Sequence, residues 1–130
     1  MLLLLLTLVA VPIAARYWAR HHVPRHTLGI TGSAVGSVIS PLSLGIYAAA
    51  PFLGPFGLPL VFVGLPSAIF HGTPGFHIAS SLGVIPPGVV EGVSRLYVEL
   101  INAVVWAPMY GAVGWLLDRF RASRTSSSAL

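Results

Sequence analysis

Residues 96–117 of this chain form an apolar run of 22 residues that ends directly against the basic sequence DRFRASR. Only Glu99 and Asn102 in this run are strongly polar, and both lie in its first third. As an α-helix the run would be about 33 Å long, and the hydrocarbon core of a bilayer is roughly 30 Å thick. It is therefore predicted to be a transmembrane helix with its basic C-terminal end in the cytoplasm.

The amino-acid composition of the whole chain is typical of an integral membrane protein. Of its 130 residues, 55% are hydrophobic and only 8% are charged, whereas soluble domains carry about 25% charged residues. The mean hydropathy is +0.87. We expect an all-α, polytopic integral membrane protein with a single membrane domain over residues 1–130, placed in a prokaryotic inner (cytoplasmic) membrane.

The charged residues and the missing residue types exclude several kinds of chemistry. The net charge of +4 comes from seven arginines against three acidic residues, and most of the arginines lie at the ends of apolar segments, where they anchor to lipid headgroups. No interleaved aromatic and basic patch predicts nucleic-acid binding. The absence of Cys and Lys excludes thiolate metal sites and Schiff-base cofactors. No enzyme activity and no cofactor are expected.

Three full transmembrane helices are predicted: spans over about residues 2–19 and 28–50, and a long final helix over residues 88–120, whose first turns project on the non-cytoplasmic side. The basic sequence between the first two carries Arg16, Arg20 and Arg25 beside Tyr17 and Trp18, a combination typical of a cytoplasmic membrane boundary. With the C-terminal tail also cytoplasmic, an even number of crossings must separate the two basic segments. Residues 51–95 are then expected to cross the membrane twice or not at all.

A membrane-embedded insertion is predicted over residues 58–85, in a region that is apolar but rich in Pro and Gly. A helix is expected from about Pro59 to Phe70, then a turn over residues 71–77, HGTPGFH, and a second short apolar stretch. Because each half is short for a full span, either a re-entrant hairpin or two tight helices fits this pattern. Irregular backbone at that depth has to be shielded by protein or face water.

Small residues occupy one side of the second span and one side of the last span. At 100° per residue, the side of the second span includes Gly29, Gly32 and Gly36 together with Ser33, Ser40 and Ser43. The side of the last span includes Ala103, Ala107 and Gly114 together with Tyr110. Gly32 and Gly36 form a GxxxG pair, a motif that lets helix backbones approach closely in lipid. The two sides are predicted to pack against each other.

Two sets of polar residues are candidates for function. Glu99 and Asn102, with Ser33 and Ser40 on the second span, would line the path of a small ion or solute; the alternative for Glu99 is an ion pair with Arg95, four residues away.

His71 and His77 would hold haem or a metal ion, the alternative being ordinary hydrogen bonding to backbone.

The function these patterns favour is that of a non-catalytic accessory or assembly subunit of a larger membrane complex, or a helix-packed homo-oligomer. Its expected partners are the lipid bilayer and either copies of itself or a larger membrane-protein complex. Nucleic acid is not expected as a partner. A homo-oligomeric channel or carrier that uses Glu99 and Asn102 is the first alternative. A haem- or metal-binding redox subunit that uses His71 and His77 is the second.

Overall fold

The computed structural model describes residues 2–85 and 92–127, and the all-α prediction is confirmed for them. Of the described residues, 96% are helical and none lies in a β-strand. Four α-helices account for most of them. They are α1 (Leu2–His22), α2 (Thr27–Ala49), α3 (Leu58–Ser81) and α4 (Gly92–Ser127), with 3₁₀ segments at Pro24–His26 and Ala50–Gly57. The start predicted for the last helix at residue 88, and Glu91, lie outside the described residues.

The first two helices form an antiparallel hairpin around the 3₁₀ turn Pro24–His26. The amide of Val23 still bonds to the carbonyl of Ala19 at 2.8 Å, so the chain turns only after the last helical bond of α1. Near the other end of the hairpin, the side chain of Leu5 packs on Gly45. Among the described elements, α1 contacts α2 and the 3₁₀ turn and no other helix.

The central pair of the fold is α2 and α4, which run antiparallel. Gly32 lies against Tyr110, and Gly36 lies against Trp106. The amide of Asn102 continues the series with a hydrogen bond to Ser40. Each step of four residues along α2 is thus matched by four residues back along α4, the spacing of residues that share a helix face.

Small residues let these two helices approach until their backbones touch. A Cβ atom added to Gly36 would lie within 3.0 Å of backbone atoms of Trp106 and Ala107. The same holds for Gly114 of α4, against the backbone of Leu28 and Gly29 of α2. No side chain larger than hydrogen fits at these points, which is the geometry that GxxxG-type faces permit.

The 3₁₀ segment Ala50–Gly57 reverses the chain between α2 and α3. Gly54 within it has φ 54° and ψ −132°, a conformation that side-chain-bearing L-residues rarely adopt. Gly57 then packs against the carbonyl of Ala50. The helix that follows begins with Pro59 in its first turn, where the missing N–H costs nothing.

The structure corrects the local prediction for residues 58–85. The turn expected over residues 71–77 is helical, and the two short elements expected there are one continuous helix of 24 residues, α3. Pro66 and Pro74 both lie inside it. A proline removes one helical N–H, and the helix continues where neighbouring groups bond to the freed backbone. Side chains of α4 supply such bonds around Pro74.

Along α3, the contacts with α2 and α4 first move away from the C-terminal end of α2 and then move back toward it. Its first half approaches the C-terminal half of α2, with Gly64 beside Tyr47 and Gly72 nearest to Ser40. After Pro74 the helix packs on the N-terminal half of α4, where Ala79 is in one apolar cluster with Val98. The helix therefore comes nearest to the N-terminal end of α2 around its own middle.

Five of the seven arginines lie around one end of the bundle, which we call the basic end. The C-terminal end of α1, the 3₁₀ turn and the C-terminal part of α4 meet there. Within residues 2–85 and 92–127, three helical stretches are long and apolar enough to cross a membrane. They are Leu3–His22, Pro24–Ser81, which contains α2 and α3, and Ser94–Arg124.

Candidate functional site

A polar cluster joins α2, α3 and α4, and His71 of α3 lies at its centre. The imidazole is buried, and both of its nitrogens have partners. Nδ1 lies 2.8 Å from the carbonyl oxygen of Ser67 and 3.1 Å from its hydroxyl, while Nε2 lies 2.8 Å from the hydroxyl of Tyr110. The Ser67 hydroxyl in turn is 2.7 Å from that of Ser43 on α2.

One placement of the protons gives every group in this series of hydrogen bonds a partner. A carbonyl only accepts, so His71 Nδ1–H donates to Ser67, and Nε2 accepts from the Tyr110 hydroxyl. Ser43 donates to the carbonyl of Ile39 at 2.7 Å, which leaves its oxygen to accept the proton of Ser67. The chain of hydrogen bonds thus runs from α4 through α3 into the backbone of α2.

Asn102 of α4 forms the second part of the cluster, and its side chain is fully buried. Its Oδ1 accepts the backbone N–H of Gly75 at 2.7 Å. Its Nδ2 donates to the Ser40 hydroxyl at 3.1 Å and, more weakly at 3.4 Å, to the carbonyl of Gly72. A single amide therefore bonds to both neighbouring helices.

Bonds from α4 also reach the backbone of α3 on both sides of Pro74. In a regular helix the carbonyl of His71 would accept from the N–H of Gly75. Here that N–H donates to Asn102, and the carbonyl of His71 accepts from the indole Nε1 of Trp106 at 2.8 Å. The backbone groups next to the proline thus have partners on α4. Two side chains of α4 take the place of the helical bond between His71 and Gly75.

Glu99 lies one turn further toward the start of α4, in a separate groove of about 340 Å³. Its Oε1 is 3.1 Å from Nε of Arg95, and 15% of its side chain is exposed. Its Oε2 is the one buried side-chain polar atom without a hydrogen-bond partner among the described residues. Thr73 and His77 of α3 form part of the opposite wall.

The residues predicted to line a path are divided between different environments. Ser40 and Asn102 bond to each other inside the bundle, whereas Glu99 pairs with Arg95 in the groove. Ser33 faces α4 beside Gly111. The structure thus brings two of the four into direct contact and places the others on neighbouring surfaces.

The residues predicted to pack the helices lie mostly between α2 and α4. Gly29 is next to Trp115, and Gly32, Gly36, Ala107 and Gly114 all lie where the two backbones meet. Ala103 is half-buried on α4.

The two histidines predicted as ligands are not brought together. They lie six residues apart on one helix, which places them about 120° apart around its axis. His71 is buried and both its nitrogens already have hydrogen-bond partners, while His77 is exposed in the groove. In the part of the chain that the structure describes, no three metal-binding side chains converge.

The partners of His71 were not predicted from sequence as functional residues. Ser67 precedes His71 by four residues, so the two share a helix face, but this signal has meaning only if α3 continues through residues 71–77. Tyr110 and Ser43 lie on the small-residue sides of α4 and α2, which were predicted to pack against each other. No protein-family model, curated protein or solved structure matches this chain.

Proposed function

We propose that this protein is a non-catalytic integral membrane protein that acts as an accessory or assembly subunit of a larger membrane complex, or assembles with copies of itself. The observation that carries the proposal is the mutual hydrogen bonding of the interior polar cluster. Its side chains bond to one another and to helix backbone, which is how polar groups hold helices together in lipid. A catalytic or transport role would leave such groups directed at a substrate.

The bonding pattern of Asn102 illustrates this structural role. All three of its hydrogen bonds go to neighbouring helices. The indole of Trp106 likewise bonds to the backbone of α3. Each of these side chains holds α3 against α4, and neither presents a polar atom to a cavity. The interior therefore serves to maintain the shape of the bundle.

The outward faces of the helices supply the surface for assembly. On α1, which packs on α2 alone, large apolar side chains are exposed along the whole helix, and α3 carries a second exposed apolar set. They are Leu3, Leu4, Leu6, Val9, Val11 and Ile13 on α1, and Phe62, Val63, Ile69 and Phe70 on α3. Such faces are covered by lipid or by another protein, and an assembly subunit would use them for both.

The proposal includes a topology. We place the basic end in the cytoplasm of a prokaryotic inner membrane, following the excess of arginine there. On this view α1, α2 and α4 cross the membrane, and α3 is re-entrant. The contacts of α3 support re-entrance. Its first half reaches Ser40 in the middle of α2, whereas its last turns pack on Val98 near the start of α4, which lies beside the C-terminal end of α2. Two basic segments on one side, separated by two crossings, agree with it.

The mass of the protein extracted in mild detergent tests the proposed role. Light scattering combined with size-exclusion chromatography should give a complex larger than the 13.7 kDa chain, both from native membranes and, for a homo-oligomer, after expression alone. A monomer from both sources contradicts the proposal.

Two substitutions locate the assembly face without disturbing the interior. Ile13 on α1 and Ile69 on α3 are exposed to similar extents, 63% and 60%. Ile13→Trp and Ile69→Trp each place a bulky side chain on one outer face. The larger species should be lost in one variant and kept in the other. If it persists in both, neither face is the interface.

A channel or carrier is the second candidate, and the environment of Glu99 favours it. A buried carboxylate oxygen without a partner among the described residues is costly, and ionisable groups inside membranes often mark ion or proton paths. The groove beside it also contains His77 and Arg95. The Glu99 carboxylate, together with the imidazole of His77, would bind a cation or relay a proton.

Flux into liposomes separates the two candidates. For a channel or carrier, Glu99→Gln should abolish flux, because it removes the charge but keeps the shape of the side chain. Asp118→Asn is the matched control, since it makes the same change at the basic end of the bundle. Flux that is absent from the wild type, or equal in wild type and Glu99→Gln, rules out a role for this carboxylate.

A further inference from the structure

A cleft of about 490 Å³ lies at the basic end, between the C-terminal ends of α1 and α4. The 3₁₀ turn and the first residues of α2 also line it. Five of the seven arginines of the chain contribute to its walls. They are Arg16, Arg20, Arg25, Arg119 and Arg121. The volume lies in the range of small-molecule sites, about 300–1,000 Å³.

The cleft has a strong excess of positive charge. Among the described residues that line it, Asp118 alone is acidic, and five arginines surround this one carboxylate. The Asp118 carboxylate already has hydrogen-bond partners in the backbone of α2. Its Oδ2 accepts the backbone N–H groups of Leu28 at 2.8 Å and Gly29 at 3.0 Å, so Asp118 caps the start of α2. The N-terminal dipole of α2 is thus compensated, and the arginines define the field in the cleft.

One of these arginines is held in place by an aromatic ring. The guanidinium carbon of Arg119 lies 4.7 Å from the ring centroid of Trp115, which also lines the cleft. A cation over the face of an aromatic ring is attracted by the ring quadrupole, which restricts where the Arg119 side chain lies. A pre-positioned planar donor of this kind matches the oxygens of a phosphate group.

We propose that this cleft binds a phosphate group, as presented by the headgroup of an anionic phospholipid. Two apolar stretches, Leu3–His22 and Ser94–Arg124, end beside it, and Tyr17 and Trp18 are exposed there. Aromatic residues next to arginines are typical of the depth at which lipid phosphates lie, and basic pockets at helix ends bind anionic headgroups. The site goes beyond the proposed assembly role, because it would serve a subunit, an oligomer or a channel equally.

Lipid titration followed by native mass spectrometry tests the site. The purified chain in detergent is titrated with phosphatidylglycerol, with phosphatidylcholine, and with inorganic phosphate as a competitor. Arg20→Gln and Arg119→Gln change the cleft on its two helices. Arg124→Gln is the matched control, since it removes the same charge from α4 without lining the cleft. The unfolding midpoint in lipid-free detergent should be the same for all variants.

One saturable phosphatidylglycerol molecule is expected, with no comparable binding of phosphatidylcholine. Each cleft variant should weaken it about tenfold, the effect of one charge-assisted hydrogen bond, and Arg124→Gln should leave it within about twofold. Saturable binding of inorganic phosphate alone, with the same dependence on Arg20 and Arg119, would support the phosphate site and identify a soluble source. Equal weakening by Arg124→Gln, or equal binding of an oligoglutamate peptide, would overturn the proposal in favour of general attraction to basic residues.

Discussion

Gly36→Ala is the substitution that tests the central packing of this fold most directly. A Cβ atom at this position would lie within 3.0 Å of three backbone atoms of α4, in Trp106 and Ala107. Backbone atoms of a helix cannot rotate away as a side chain can, so α2 and α4 have to separate. Gly29→Ala is the matched control on the same helix and the same interface. Its Cβ would meet Trp115 at 3.4–3.5 Å, which is ordinary contact.

The magnitude follows from two opposing terms. Inserting a methyl group into a filled interface costs about 1–3 kcal/mol, and replacing Gly by Ala in a helix gains up to about 1 kcal/mol. Gly36→Ala should therefore lower the free energy of unfolding by about 1–2 kcal/mol. Gly29→Ala gains the same propensity without the clash, so it should be neutral or stabilising. The difference between the two variants isolates the overpacking term.

Equilibrium unfolding in mixed micelles measures this difference. The protein is titrated with dodecyl sulfate, and unfolding is followed by fluorescence of its three tryptophans and by helical circular dichroism. The two probes should report one transition, and Gly36→Ala should unfold at lower denaturant than Gly29→Ala. If the two variants are equally stable, or if Gly36→Ala is the more stable one, the contact between the α2 and α4 backbones does not hold the helices together.

Two further variants probe the polar contacts by the same assay. Tyr110→Phe removes the hydroxyl that bonds to His71 and should lower the free energy of unfolding by about 1–2 kcal/mol. The control Tyr97→Phe, at an exposed position on the same helix, should change it by less than about 0.5 kcal/mol. Equal losses of stability in the two variants would contradict the hydrogen-bond assignment. Asp118→Ala removes the acceptor at the start of α2 and should cost about 1 kcal/mol. Asp118→Asn, which keeps a carbonyl oxygen, should cost less, and no loss in either variant would show that the cap contributes nothing.

Local patterns predicted much of the helix content. The apolar run at residues 96–117 lies within α4, and the segment predicted at residues 28–50 nearly coincides with α2. These predictions succeed because an apolar segment without water has to satisfy its N–H and C=O groups internally, and a helix does so with bonds inside the segment. The ion pair between Arg95 and Glu99 is equally local, since helix geometry alone places residues four apart together.

The error at residues 71–77 shows where local patterns stop. Gly and Pro in HGTPGFH are turn signals when a segment is considered alone. In the folded protein the helix continues through this segment, and Asn102 and Trp106 bond to its backbone beside Pro74. These two residues are more than 25 positions away in sequence, and no property of the segment itself predicts them.

The sequence by itself determined that this chain is helical, that it is suited to lipid, and that its positive charge gathers next to two apolar segments, because hydropathy and charge are properties of single residues and their spacing. Only the tertiary structure decided that α3 is one helix, that His71 bonds to Ser67 and Tyr110, and that the arginines from both ends of the sequence surround one cleft. Those outcomes depend on which helix faces which, and that choice is made by contacts between residues far apart in the chain.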